Sequence, residues 1–244
     1  MILVFGHSHL QSLLDAYNEL PTGDKLFDLD SYQFLREDRT HIVNIDGKWQ
    51  YHPDCLHELG SLIETTRPKM LVSMLQGEQA ILSGLIGPES PFEFYFPGET
   101  TEFDESIAIM PFDLFLDYCK EAYDLITPLL SYLNHIISVP TLALSVPPPI
   151  CNSEFTLQNK GIRETLAGQK LAAASWRYRV WKSHALALRT IYYENGIQLI
   201  EAPRESYNED GCLLRSFWAD AFHANSRYGH LLLRQLKDLL TSGG

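Results

Sequence analysis

The sequence predicts an α/β fold in three layers, an α/β/α sandwich whose parallel sheet is covered by helices on both faces. Three observations predict it. Short apolar, β-prone runs recur along the chain at residues 2–5, 69–75, 136–146 and 197–200, without the alternation of a half-solvated strand, so they read as strands buried on both faces. Between them lie stretches with apolar residues at helical spacing. The 244 residues are 45% apolar and 20% charged, ordinary for one folded body, so residues 1–244 are read as a single domain.

Residues 2–5 (ILVF) give the first strand, ended by Gly6, and Leu10, Leu13, Leu14 and Tyr17 then recur at helical spacing. The opening is strand, tight turn, helix. Residues 41–51 (HIVNIDGKWQY) place Asp46-Gly47 between two β-prone runs, a hairpin signal. Residues 56–65 suit a helix, and 69–75 (KMLVSML) form the second buried strand. A long helix starts near Pro111 and runs through Phe115, Tyr118, Ala122 and Leu125 until Pro128 interrupts or kinks it. The third strand, 136–146, is cut off by Pro147-Pro148-Pro149. Residues 172–195 read as a helix with Gly196 as C-cap, 197–200 as the fourth strand, and about 226–240 as the final helix. In such a fold the site lies at the carboxyl ends of the strands.

Residues 84–110 do not fit this rhythm, being rich in Gly, Pro, aromatics and acids. A loop of this length is either functional or a packed surface excursion. Two readings stand side by side: it covers a site at the strand ends, or it packs on its own Phe92, Phe94, Tyr95 and Phe96.

Charge narrows the partners. With 19 Lys and Arg against 31 Asp and Glu, the formal charge is −12, which repels a phosphate backbone or an anionic membrane surface. A neutral ester meets no such barrier. The first residues, MILVFGHSHL, carry no basic segment and too short an apolar run for export or anchoring. Cys55, Cys119, Cys151 and Cys212 are scattered without a C-x-x-C pair, so they read as reduced, partly buried thiols and point to a cytoplasmic location. Arg177, Arg179, Lys182 and Arg189, with Trp176 and Trp181, form a basic, aromatic helix, read mainly as a solvated face with a packed aromatic stripe and secondarily as an anion-recognition patch. His52, His57, His135, His184 and His230 read as surface or satisfied core residues.

Ser8 falls at the junction of the first strand and helix, where a helix N-terminus supplies backbone N–H groups. Taken alone, it reads as a helix cap. Near the other end, in FWADAFHANSRYGHLLLRQL, Asp220 and His223 stand three apart just before a helix. A serine hydroxyl needs a base to take its proton, and the imidazole needs a carboxylate to hold its tautomer and stabilise its charge. Asp-x-x-His in one turn supplies both.

Together, Gly6-His7-Ser8-His9 and Asp220-Ala221-Phe222-His223 resemble the two end blocks of the SGNH/GDSL hydrolase superfamily, with His7 in place of the usual Asp. Asn225, Tyr228-Gly229 and the run Val146-Pro147-Pro148-Pro149 extend the resemblance over the whole chain. It implies a flavodoxin-like SGNH fold and an acyl-enzyme mechanism: Ser8 as nucleophile, His223 as base then acid, Asp220 as its orienting partner. The family's G-x-N block corresponds to Gln76-Gly77-Glu78-Gln79, so the oxyanion hole falls to the Ser8 N–H, Gly77 and Gln79. In an alternative frame Glu78 takes that place, and its carboxylate repels the oxyanion. His7, His9 and Glu78 are assigned to substrate binding. No metal site is expected at His7-Ser8-His9, since no Cys or carboxylate cluster accompanies the two histidines, and the chemistry needs no cofactor.

The expected function is hydrolysis of a small or carbohydrate-linked acyl ester. Two alternatives stay open: O-acyl transfer on the same residues, and an inactive binding protein that keeps the fold. No nucleic-acid or membrane partner is expected, and the sequence leaves the oligomeric state open.

Overall fold

The computed structural model describes residues 1–34, 41–75, 79–87, 92–98, 106–136 and 138–242. Its elements run β1 (Ile2–Gly6), α1 (Leu10–Glu19), β2 (Leu29–Gln33), β3 (Ile42–Ile45), β4 (Lys48–Tyr51), α2 (Pro53–Thr66), β5 (Met70–Met74), α3 (Gln79–Leu85), β6 (Phe92–Glu93) and β7 (Ala108–Ile109). There follow α4 (Phe112–Glu121), α5 (Ile126–Ile136), β8 (Thr141–Leu144), α6 (Ser153–Gln158), α7 (Lys160–Leu166), α8 (Ala174–Glu194), β9 (Gln198–Ile200) and α9 (Ser226–Ser242).

The main sheet has the order β2-β1-β5-β8-β9, and every pairing in it is parallel. The expected α/β/α sandwich is present. Chain order reverses at β1, which pairs with β2 on one side and β5 on the other, so a crevice opens beyond the carboxyl ends of β1 and β5. β1 is buried throughout, and its side chains alternate between two cores: Leu3 and Phe5 join Leu71 and residues of α2, α4, α5 and α8, whereas Ile2 and Val4 join Val72, Leu144 and residues of α1 and α9. Burial of each such side chain stabilises the fold by roughly 1.5–3 kcal/mol. Gly6 ends β1 because the strands nearly touch there. A Cβ at Gly6 would lie 2.6 Å from the Met74 carbonyl oxygen.

The hairpin forms as expected. Asp46 and Gly47 take φ of 53° and 82°, the two positive angles that a tight two-residue hairpin turn needs. Other boundaries differ. The helix expected from Pro111 breaks between Glu121 and Ile126, and Pro128 sits in the first turn of α5, where its missing N–H removes no helical bond. Because α5 extends to Ile136, the third strand shortens to Thr141–Leu144. Within 84–110, Phe94 and Phe96 are buried. Phe94 stacks on Phe115 at 4.0 Å and meets Trp176 edge-on, so these aromatics join the core between α4 and α8.

The cysteine reading needs correction. Cys151 and Cys212, 61 positions apart, form a disulfide with their Cα atoms 5.6 Å from each other, while Cys55 and Cys119 are free and buried. The fold brings the segment after the proline run beside the approach to the last helix, a proximity with no local sequence signal. The thiol argument for a cytoplasmic location therefore fails. Among the described residues, no helix is long and apolar enough to cross a membrane.

Candidate active site

The turn from β1 to α1 is tight: the His7 carbonyl accepts from the Leu10 N–H and the Ser8 carbonyl from the Gln11 N–H, both at 3.0 Å. Ser8 is not the helix cap. His9 holds that position, without a side-chain capping bond. The Ser8 hydroxyl instead faces His223, with Oγ 2.8 Å from Nε2.

The turn that carries His223 is built by Asp220. Its Oδ1 accepts from the backbone N–H groups of Phe222 and His223, both at 2.8 Å, and the His223 carbonyl accepts in return from the Ala219 N–H at 3.0 Å. The same carboxylate meets His223 Nδ1, at 3.0 Å from Oδ1 and 2.9 Å from Oδ2. Partial burial pushes the Asp220 carboxyl up, but the His223 ring and the two backbone donors outweigh it and hold the group at about 2. Ionised Asp220 can only accept, so Nδ1 carries the proton and Nε2 is left to accept from Ser8.

Several residues besides Ser8, Asp220 and His223 hold this turn, Asn225, Tyr228 and Gly229 of the resembling block among them. Asn225 Nδ2 donates to the carbonyls of Ser216 and Trp218 at 2.9 and 3.1 Å, and Trp218 Nε1 donates to the Leu213 carbonyl at 2.8 Å. Tyr228 is fully buried, and a Cβ on Gly229 would meet the Ser12 carbonyl oxygen at 1.9 Å, so the Tyr-Gly pair seats α9 on α1 and with it His223 over Ser8. Arg177 does not belong to a solvated face. It is 3% exposed, and its guanidinium donates to the carbonyls of Ile150 and Cys151, both at 2.8 Å, fixing the end of the proline run. Arg179 pairs with Glu93 at 2.6 Å and lies over the Phe94 ring. The Arg177 anchor depends on carbonyls distant in sequence and leaves no periodic signature.

His7 and His9 are turned inward. His7 Nε2 lies 3.0 Å from the Tyr51 hydroxyl, and burial, assisted by His41, lowers its pKa to about 4. His9 is 3% exposed, and its ring packs against His223. The geometry thus gives both rings protein neighbours where substrate contact was expected. Gln79 begins α3, while Gln76, Gly77 and Glu78 lie outside the described residues. His184 is fully buried with neither ring nitrogen bonded among the described residues, contrary to its reading as a surface or satisfied residue, whereas His230 meets Glu19 at the surface. Among the described residues no group of three His, Cys, Asp or Glu side chains is arranged to hold a metal. A cavity of about 690 Å³ adjoins the disulfide and the approach to the turn, lined in part by Tyr178, Arg179, Arg215 and Trp218.

Over all of this chain and 88% of the other, the fold is similar to a GDSL-like lipase of Bacteroides thetaiotaomicron, with a TM-score of 0.52 and 10% identity. The chain has the SGNH/GDSL hydrolase fold. The same SGNH fold appears in the periplasmic domain of a lipopolysaccharide acetyltransferase of Salmonella ser. Paratyphi A, with a TM-score of 0.55, 12% identity, and 98% and 83% of the two chains covered. No protein-family model matches the sequence, and no curated protein matches it. At these identities the likeness is one of SGNH fold, and chemistry has to be argued from the site itself.

Proposed function

We propose that this chain is a serine acyl-ester hydrolase working through an acyl-enzyme on Ser8. One observation carries the reading: His223 is bonded at both ring nitrogens, to Asp220 through Nδ1 and to Ser8 Oγ through Nε2 at 2.8 Å. That is the arrangement in which a serine hydroxyl becomes a nucleophile. Ser8 Oγ attacks the ester carbonyl carbon while its proton passes to His223 Nε2, and Asp220 stabilises the resulting imidazolium. The tetrahedral intermediate collapses as His223 returns that proton to the leaving alcohol. Water then attacks the acyl-Ser8 carbonyl by the same proton route and releases the acid. The developing oxyanion is assigned to the Ser8 backbone N–H with Gly77 and Gln79, since in sequence that segment joins β5 to α3.

The substrate class is a small or carbohydrate-linked acyl ester. The shared fold with an acetyltransferase domain favours one second reading, transfer of the acyl group to a sugar hydroxyl in place of water. A binding protein without activity is disfavoured, because nothing about binding alone requires the Asp220–His223–Ser8 alignment.

A fluorophosphonate probe tests the nucleophile. The expected result is one covalent adduct on Ser8 that disappears in Ser8→Ala; an adduct that persists in the variant places the nucleophile elsewhere. Product analysis with an aryl acetate, with and without a sugar acceptor, separates hydrolysis from transfer.

A further inference from the structure

We infer that His9 is a positioning residue for the reaction proposed above: its ring packs against that of His223 and keeps Nε2 aimed at Ser8 Oγ. The inference rests on that reading of the site. His9 directly follows the nucleophile, at the N-terminal boundary of α1, with helical backbone angles of φ −62° and ψ −20°. Its ring centroid lies 5.0 Å from that of His223, with the planes tilted by 51°. Both its ring nitrogens are sealed from solvent and have no hydrogen-bond partner among the described residues. His9 therefore neither reaches a substrate nor relays a proton, and what it presents to His223 is the surface of its ring.

Such a surface has a specific use. The two hydrogen bonds to His223 both lie in the imidazole plane, so they resist in-plane motion far better than rocking about the line between the two nitrogens. A ring packed against it limits the rocking. The need is greatest in the acyl-enzyme, where Ser8 Oγ is esterified and has no proton to donate. His223 then loses the anchor at Ser8 and keeps that at Asp220 while it must aim at water. The titratable groups facing His9 are His223, His7 and Asp220, and burial first, then His223, lowers its pKa to about 3. His9 thus stays uncharged when the imidazolium forms beside it.

His9→Ala and His9→Phe test this in the full-length protein. In turnover of p-nitrophenyl acetate, His9→Ala should lower steady-state kcat about 10-fold or more and lower KM with it, leaving kcat/KM little changed, because slower deacylation lets the acyl-enzyme accumulate. The release burst should persist, since the loss falls mainly on deacylation, and His9→Phe should restore most of the rate. By NMR, the low-field His223 Nδ1 proton should be sharp in the parent and His9→Phe and broadened in His9→Ala. A His9→Ala variant with parental kcat and an unchanged Nδ1 signal overturns the inference. So does a His9→Phe variant as slow as His9→Ala, which would make the ring nitrogens the working part. If the parent shows neither burst nor turnover, the hydrolase reading falls, and the NMR comparison still decides whether His9 positions His223.

Discussion

Among single residues, Asp220 has the widest reach. It shapes its turn through two backbone donors, selects the tautomer of His223 and stays ionised down to a pH of about 2. His7 and His9, lowered to about 4 and about 3, also keep one charge state at neutral and mildly acid pH. The base that takes the Ser8 proton has to be unprotonated, and the proposed base is His223. The pH profile of kcat/KM should therefore fall toward acid with the slope of a single proton, because protonated Nε2 cannot accept from Ser8. A profile flat from pH 5 to 8, or a two-proton slope, would count against His223 as the base. His7 and His9 were legible as neighbours of the nucleophile, but whether a ring faces solvent or core depends on what the rest of the chain packs against it.

At the level of elements, the catalytic turn is suspended between two supports. α9 seats it on α1 through the close approach at Gly229, and the Cys151–Cys212 disulfide ties its approach segment to the end of the proline run. Leu213, next to Cys212, donates its N–H to the Pro149 carbonyl and accepts from Trp218 Nε1, so the cross-link leads by short steps to the backbone just before Asp220. A loop of 61 residues closed in this way restrains the unfolded chain by about 4 kcal/mol in the chain-entropy model. Replacing both cysteines by serine should lower the melting temperature substantially, and a thiol reductant should bring the parent toward the same value. Equal melting of the parent and the double variant in the absence of reductant would show the cross-link to be energetically idle. Cross-links of this kind persist in oxidising surroundings, which gives the compartment a physical criterion that cysteine spacing did not provide.

For the molecule as a whole, buried histidines link stability to pH. His7, His9 and His184 all have pKa values lowered mainly by burial, to about 4, about 3 and about 4, against about 6.5 in the unfolded chain. Between those limits the unfolded state binds more protons than the native state, so stability rises with pH and is lost as pH falls below about 6.5. Each histidine contributes a slope of up to roughly 1.4 kcal/mol per pH unit. Asp220 acts in the same direction, but only below its ordinary carboxylate range. Thermal melts should therefore drop steeply from pH 6.5 to 4, ahead of general carboxylate protonation. A melting temperature constant over that interval would mean that these rings are solvated in the native state.

By itself the sequence determined the layered α/β architecture, the buried strands, the hairpin turn and the residue types of the Ser8, Asp220 and His223 set. The structural elements are written in local periodicity and turn residues, which act wherever the segment finds itself, whereas the Ser8, Asp220 and His223 set was legible only through the joint resemblance of two short blocks to a known family. Edge strand β2 went unread because LDSYQ carries no apolar run, and α6 and α7 because they are short and begin at Asn caps inside a loop-like stretch. The tertiary structure alone decided the contact of Ser8 with His223 across 215 positions, the disulfide, the burial of Arg177 on distant carbonyls, and the placement of His9 against His223. Those depend on strand order and on which helix crosses which face, and a contact between distant segments exists only once the chain has closed around its core.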